Sequence, residues 1–315
     1  MGKIAFVFPG QGSQVVGMGK ELAEQYPLVM AYFLKADQTL NDQLSKVIFE
    51  GSQEVLTLTV NAQPALLTTS IAILDFFKKS GVTADYVAGH SLGEYTALVA
   101  SGALTFEEGV YAVRKRGEFM EAAVPNGEGS MSAVLGLDRD SLADAVKEVS
   151  QSGFPVSLAN LNCPGQIVIS GSKKGVELAG GKAKEAGAKR VIPLEVSGPF
   201  HSELMKPAAD QLRDVLDGLN MQNAGIPVVA NVTAQPMSEA LEIKEKLIEQ
   251  LYSPVLWEDS VEKMIELGVD TFIEIGPGKV LSGLVKKINK TVKTYSVSDE
   301  TSVQAVIDAL KEDTQ

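Results

Sequence analysis

The turn Gly89-His90-Ser91-Leu92-Gly93 has the G-x-S-x-G spacing that exposes a serine nucleophile between a strand and a helix. Glycines at 89 and 93 would allow the close backbone approach such a turn needs. A serine there also sits at a helix N-terminus, whose partial positive charge favours a developing oxyanion. The plain alternative is that Ser91 only caps the helix. A serine nucleophile needs a base, and the chain has only two histidines. His90 is the neighbour of Ser91, so its side chain is expected to point to the other side. His201, in SGPFHSELM, stands at a loop-to-helix junction and is the better base. No acidic residue between 91 and 201 is convincing as the third member of a triad. His201 could instead donate to a neutral carbonyl.

Arg116 follows the same logic. In the helix opened by Thr105-Phe106-Glu107-Glu108, a capping box, Arg116 shares a stripe with Val113, Gly117 and Met120. A guanidinium on an inward face needs an anion. That anion is either an internal Asp or Glu or the carboxylate of an acidic substrate. The loop FPGQGSQ, residues 8–14, hints at a dinucleotide fingerprint. Val15 stands where its third glycine is required, so the nucleotide reading fails. A backbone N–H offered to an oxyanion suits this loop better.

The elements that position these groups alternate strand and helix. Strands are expected at Lys3–Phe8 and Tyr86–Gly89, and helices at Pro64–Lys79, with Pro64 in its first turn, and at Leu92–Ser101. Further strands are expected at Pro227–Val232, Thr271–Ile275 and Thr294–Val297, with helices after His201, Leu241, Lys279 and Ser302. This alternation predicts an α/β class built on a parallel sheet with helices on both faces. Between them, strands at Met131–Leu135, Val156–Leu161, Gln166–Ser170 and Arg190–Glu195 flank helices at Ser141–Val149 and Val176–Ala186. The order βαββαβ is that of a ferredoxin-like unit inserted into the larger domain. The boundaries place residues 1–126 and 198–315 in the core and residues 127–197 in the small subdomain.

Composition narrows the function. Among 315 residues, 45% are hydrophobic and 22% charged, as in an ordinary globular protein. The net charge of −12 argues against nucleic-acid binding. No apolar run approaches the length of a membrane span. The start has neither a secretory h-region nor a cleavage site. The single cysteine, Cys163, can form no internal disulfide, which fits a cytoplasmic protein. The matches Asn231-Val232-Thr233 and Asn289-Lys290-Thr291 to a glycosylation pattern are therefore set aside. No metal or cofactor is called for, and the absence of a long exposed apolar stripe points to a monomer.

The motifs FPGQGSQ, GHSLGEY, RKRGEFM, NCPGQIVISG and GPFHS together resemble the malonyl-CoA:acyl carrier protein transacylases of fatty acid synthesis, from Lys3 to roughly Val297. The resemblance implies an α/β-hydrolase-like core. It implies Ser91 as the malonylated nucleophile, His201 as base and then acid, and Arg116 as the malonyl carboxylate's partner. It further implies an oxyanion hole from the backbone N–H groups of Gln11 and Leu92, and a main-chain carbonyl at Gln250 that accepts from His201. Gln63, Asn160 and Asn162 match positions near the substrate channel. The partners implied are malonyl-CoA and acyl carrier protein. Both are acidic, so basic residues matter: Lys182, Lys184, Lys189 and Arg190, or Lys286, Lys287, Lys290 and Lys293. The rivals are a polyketide malonyl acyltransferase, a serine esterase or thioesterase, and a non-catalytic carrier-docking module.

Overall fold

The sequence KIAFVF alternates its apolar side chains between two separate cores. Ala5 and Val7 pack with Ala88, Val229, Trp257 and Phe272. Phe6 and Phe8 pack with Phe33, Leu66, Phe77 and Leu98. A strand buried on both faces belongs in the middle of a parallel sheet covered by helices, and that is where it lies. The computed structural model describes residues 2–125, 127–196 and 198–312. Its ten strands are β1 (Lys3–Phe8), β2 (Tyr86–Gly89), β3 (Gly129–Leu135), β4 (Val156–Cys163), β5 (Gln166–Ser172), β6 (Arg190–Pro193), β7 (Val228–Val229), β8 (Pro236–Met237), β9 (Val269–Ile275) and β10 (Lys293–Val297). The larger sheet runs β10-β9-β1-β2-β7-β8. It is parallel from β10 to β7, and β8 returns antiparallel to β7 at the edge.

The second sheet runs β4-β5-β3-β6 and is antiparallel throughout. Helices Arg139–Gln151 and Lys173–Glu185 complete the βαββαβ order of the ferredoxin-like unit. Their apolar residues, Leu142, Val146, Val149, Val176 and Ala183, form a third core with Val134, Leu161 and Ile169. The expected boundaries of this unit fall on Asn126 and Ser197, which lie outside the described residues.

Three readings need correction. The helix expected from Pro64 runs from Thr59 to Phe77, so Pro64 sits inside it. Gln63, expected near the substrate channel, is buried within that helix and accepts from Arg116 Nη1. The strand expected over 227–232 shrinks to Val228–Val229, because the chain turns through Ala234 at positive φ and Ala230 N–H bonds Gln235 O. Finally, four helices between Lys20 and Thr57, and one at Trp257–Glu266, occupy stretches where no element was expected. The Pro27–Leu40 helix did carry a signal: its buried residues Val29, Phe33 and Ala36 recur at helical spacing.

Candidate active site

Steric limits shape the turn that carries Ser91. A Cβ on Gly89 would run into the Gly93 backbone, and one on Gly93 into the Phe8 carbonyl. One on Gly10 would strike the His90 carbonyl. Only glycine lets the loop after β1 and the loop after β2 lie against each other here. Ser91 itself has φ 52° and ψ −107°, a conformation that serine rarely adopts. Its hydroxyl makes no cap to the following Leu92–Ala100 helix. It stands 2.8 Å from His201 Nε2 and accepts from Arg116 Nη2 at 3.0 Å. The capping alternative is thereby excluded.

His201 is buried and also holds a positive φ, 59°. Its N–H donates to Leu251 O, and its Nδ1 lies 2.8 Å from the Gln250 carbonyl. A carbonyl only accepts, so Nδ1 carries the proton and Nε2 presents its lone pair to the Ser91 hydroxyl. Burial, then the positive charge of Arg116, lower the imidazole's pKa to about 3. The ring is therefore neutral across the physiological range.

The amides of Gln11 and Leu92 border the same cavity, whose volume is about 300 Å³. No hydrogen bond among the described residues uses either N–H. The Gln11 side chain donates to Thr59 Oγ1. His90, Met131, Asn160 and Phe200 are among the other residues that line the cavity. His90 turns from Ser91 as expected: its Nε2 lies 2.8 Å from Asn162 Oδ1 and its ring 5.8 Å from that of Trp257. Asn160 thus reaches the cavity, whereas Asn162 contributes only by holding His90.

Arg116 comes from the Phe106–Ala122 helix, opened by the capping box at Thr105 and Glu108. Its neighbour Gly117 makes this possible, since a Cβ there would crowd Thr59 O and Val60 Cα of the central helix. The guanidinium is fully buried. Nη1 donates to Gln63 Oε1 at 2.8 Å and Nη2 to Gln250 Oε1 at 2.9 Å. These partners and Ser91 are neutral, and no Asp or Glu lies within ion-pair distance among the described residues. The Nε–H has no partner among them either. A buried cation with donors to spare, beside a nucleophilic oxygen, is chemically suited to receive an anion. No carboxylate touches the guanidinium directly; the buried Glu94 reaches it only through the Gln250 amide.

Sequence reasoning missed the supports of this arrangement. Asn231 accepts from Ser91 N–H at 2.7 Å and donates to Gly89 O at 2.7 Å, so it pins both sides of the turn. Glu94 is fully buried and accepts from Asn231 N–H and Gln250 Nε2. Burial pushes its carboxyl up to about 7, against those two hydrogen bonds and Arg116, which pull it down. Gln250 appeared only as a carbonyl; its side chain links Arg116 to Glu94. Glu94 was visible as an acid inside an otherwise apolar helix start. Asn231 was set aside as part of a glycosylation pattern.

Known proteins of one kind are similar to this chain over nearly its whole length. Residues 5–315 match the acyl transferase domain family. The malonyl CoA-acyl carrier protein transacylase of Bacillus subtilis (strain 168) is 64% identical over 313 residues, covering 99% of each chain. That of Haemophilus influenzae is 46% identical over 308 residues, covering 97% of this chain and 98% of the relative. The crystal structure of an acyl carrier protein S-malonyltransferase from Vibrio cholerae superposes with a TM-score of 0.94 at 47% identity, covering 96% of this chain and 99% of its own. A malonyl-transacylase in complex with a type II PKS acyl-carrier protein superposes with a TM-score of 0.94 at 44% identity, covering 98% and 99%.

Proposed function

The chain belongs to the acyl transferase family, among the malonyl CoA-acyl carrier protein transacylases, and on that premise we propose how its residues divide the reaction. It is an acyltransferase that moves a malonyl group from malonyl-CoA to the phosphopantetheine thiol of acyl carrier protein in fatty acid synthesis. His201 Nε2 takes the Ser91 proton as Oγ attacks the thioester carbonyl. The Gln11 and Leu92 amides hold the resulting oxyanion. Collapse breaks the C–S bond, and His201 returns the proton to the departing CoA sulfur. In the second half, His201 takes the proton of the carrier thiol. The thiolate attacks the Ser91 ester, and the proton returns to Ser91 Oγ as the C–O bond breaks. Arg116 binds the malonyl carboxylate throughout, and Gln63 and Gln250 hold its guanidinium.

The observation that carries this reading is the buried Arg116, bonded to neutral acceptors and 3.0 Å from Ser91 Oγ. A general esterase gains nothing from such a group. Intact mass after mixing with malonyl-CoA is expected to show one malonyl adduct, mapped to Ser91 and cleared by acyl carrier protein faster than by water. Hydrolysis as fast as transfer, or equal labelling by acetyl-CoA, would return the chain to the esterases. A carrier of polyketide synthesis is the second reading, because the 44% identical relative acts with one. Competing the two carriers for the same acyl-enzyme separates them.

The protein works as a cytoplasmic monomer in this reading, with residues 127–197 as a small subdomain that supplies Met131, Asn160 and Leu194 to the cavity wall. No helix among the described residues is long and apolar enough to cross a membrane. Of the basic candidates, Lys182 is engaged with Glu148, and Lys287 donates to Gln166 Oε1. Lys189 and Arg190, on the exposed rim of the small sheet, fit an acidic carrier better. Reversing both charges is expected to raise the carrier's KM about two- to tenfold at low salt and to flatten its salt dependence. An unchanged KM would leave them to solvent.

A further inference from the structure

Glu94 is costly where it stands. Its side chain is fully buried, and its Oε1 has no hydrogen-bond partner among the described residues. A buried acid with an unsatisfied oxygen costs stability unless it serves another purpose. Its contacts indicate that purpose. The Gln250 amide lies between Glu94 and Arg116, donating from Nε2 to Glu94 Oε2 at 2.8 Å and accepting at Oε1 from Arg116 Nη2 at 2.9 Å. Turned the other way, the amide would set a donor against the guanidinium and an oxygen against the carboxylate. Ionised Glu94 and Arg116 at its two ends, together with the Ser91 carbonyl and Asn231 Oδ1 that also accept from Nε2, fix one orientation.

The distance between the two charges matters as much. A carboxylate in direct contact would occupy the guanidinium fork and compete with an acidic acyl group. Placed one amide away, Glu94 offsets the buried positive charge when ionised, above its pKa of about 7, and leaves the Arg116 Nε–H unoccupied. We propose that Glu94 is a positioning residue for acyl-group selection: through the Gln250 side chain it holds Arg116 in the orientation that receives the acyl carboxylate, without filling that site itself. The inference rests on the reading of Arg116 given above. The Gln250 carbonyl that accepts from His201 is main chain, set by the Ala240–Gln250 helix. Glu94 therefore bears on the choice of acyl group more than on the base.

The test measures the rate of Ser91 labelling by malonyl-CoA and by acetyl-CoA over a range of concentrations. The proteins are wild type, Glu94→Gln, Gln250→Met and the double variant. Glutamine at 94 keeps the shape and removes the charge. The malonyl-to-acetyl ratio of kcat/KM is expected to fall about tenfold in Glu94→Gln, chiefly through a higher KM for malonyl-CoA. Gln250→Met should lower it similarly, and adding Glu94→Gln to that variant should lower it no further. Equal losses with both donors would mean a structural brace only and would overturn the proposal. A higher ratio would do the same, since Glu94 would then act merely by repelling the acyl carboxylate. Should Glu94→Gln fail to fold, Gln250→Met decides alone, an unchanged ratio counting against the proposal. Wild type that gives no malonyl adduct would instead sink the underlying function.

Discussion

Replacing His201 by alanine is expected to slow malonylation of Ser91 by about 10²- to 10⁴-fold, the range that a positioned general base supplies. The geometry explains why so much rests on one ring. Ser91 Oγ has Nε2 at 2.8 Å, and the imidazole is fixed from behind by the Gln250 carbonyl. Because burial and Arg116 lower its pKa to about 3, the base is unprotonated well below neutrality. The sign follows directly. A base of ordinary pKa loses activity as the pH falls through 6.5; this one keeps its lone pair until the pH nears 3. With acetyl-CoA as donor, so that no acyl carboxylate engages Arg116, and with Glu94→Gln, so that the carboxyl pushed up to about 7 does not titrate in the same range, the acylation rate should show no decline centred near 6.5. Rapid-quench mass measurements from pH 8 to 5 test it. A fall with a midpoint near 6.5 would mean that the ring is hydrated and easily charged, and that a neutral carbonyl does not by itself keep it neutral.

What the sequence made legible, and what it did not, divides by the range of the interaction. The turn at Ser91 and the box at Thr105 are local: glycine spacing and a Thr–Glu pair determine them, and both stand as read. Arg116 was found from helical periodicity, which needs only its own helix. The succession of elements in the inserted unit followed from local strand and helix patterns alone. Three of the helices between Lys20 and Thr57, of five to seven residues, escaped because such lengths give few repeats of the apolar stripe; Pro27–Leu40 had the repeats and was overlooked. The start of the central helix was misplaced for another reason: a proline inside a helix reads as its beginning, so the turn before Pro64 was not seen as helical.

The least legible part is the network around Glu94. Its members lie 137 and 156 residues apart along the chain, so no spacing rule joins them. Asn231 can pin the turn only because β7 ends beside β2 in the folded sheet. Such contacts depend on topology, which the sequence specifies only through the whole fold. The resemblance to a family located Gln250 by its carbonyl. It did not disclose the side chain, whose importance comes from being held between two buried charges.

Replacing Arg116 by alanine is expected to cost malonyl loading about 2–5 kcal/mol, or roughly 30- to several-thousand-fold. That is the usual loss when one partner of a buried, hydrogen-bonded charge pair is removed. Acetyl loading should not share this loss, because a methyl group has no use for the guanidinium and the alanine leaves room. The preference between donors should therefore collapse. Two neighbours report independently. Arg116 lowers the pKa of both His201 and Glu94, so its removal should raise both. A raised His201 brings the acid decline of acetyl loading closer to the ordinary range. The pH profile of the variant would then shift upward while its malonyl preference disappears. Arg116→Lys separates charge from shape: an ammonium restores a point charge without the planar fork, so it should recover the low His201 pKa more fully than the malonyl preference. A variant that lost malonyl and acetyl loading alike would show that Arg116 serves Ser91 itself through its 3.0 Å hydrogen bond, and not the acyl carboxylate.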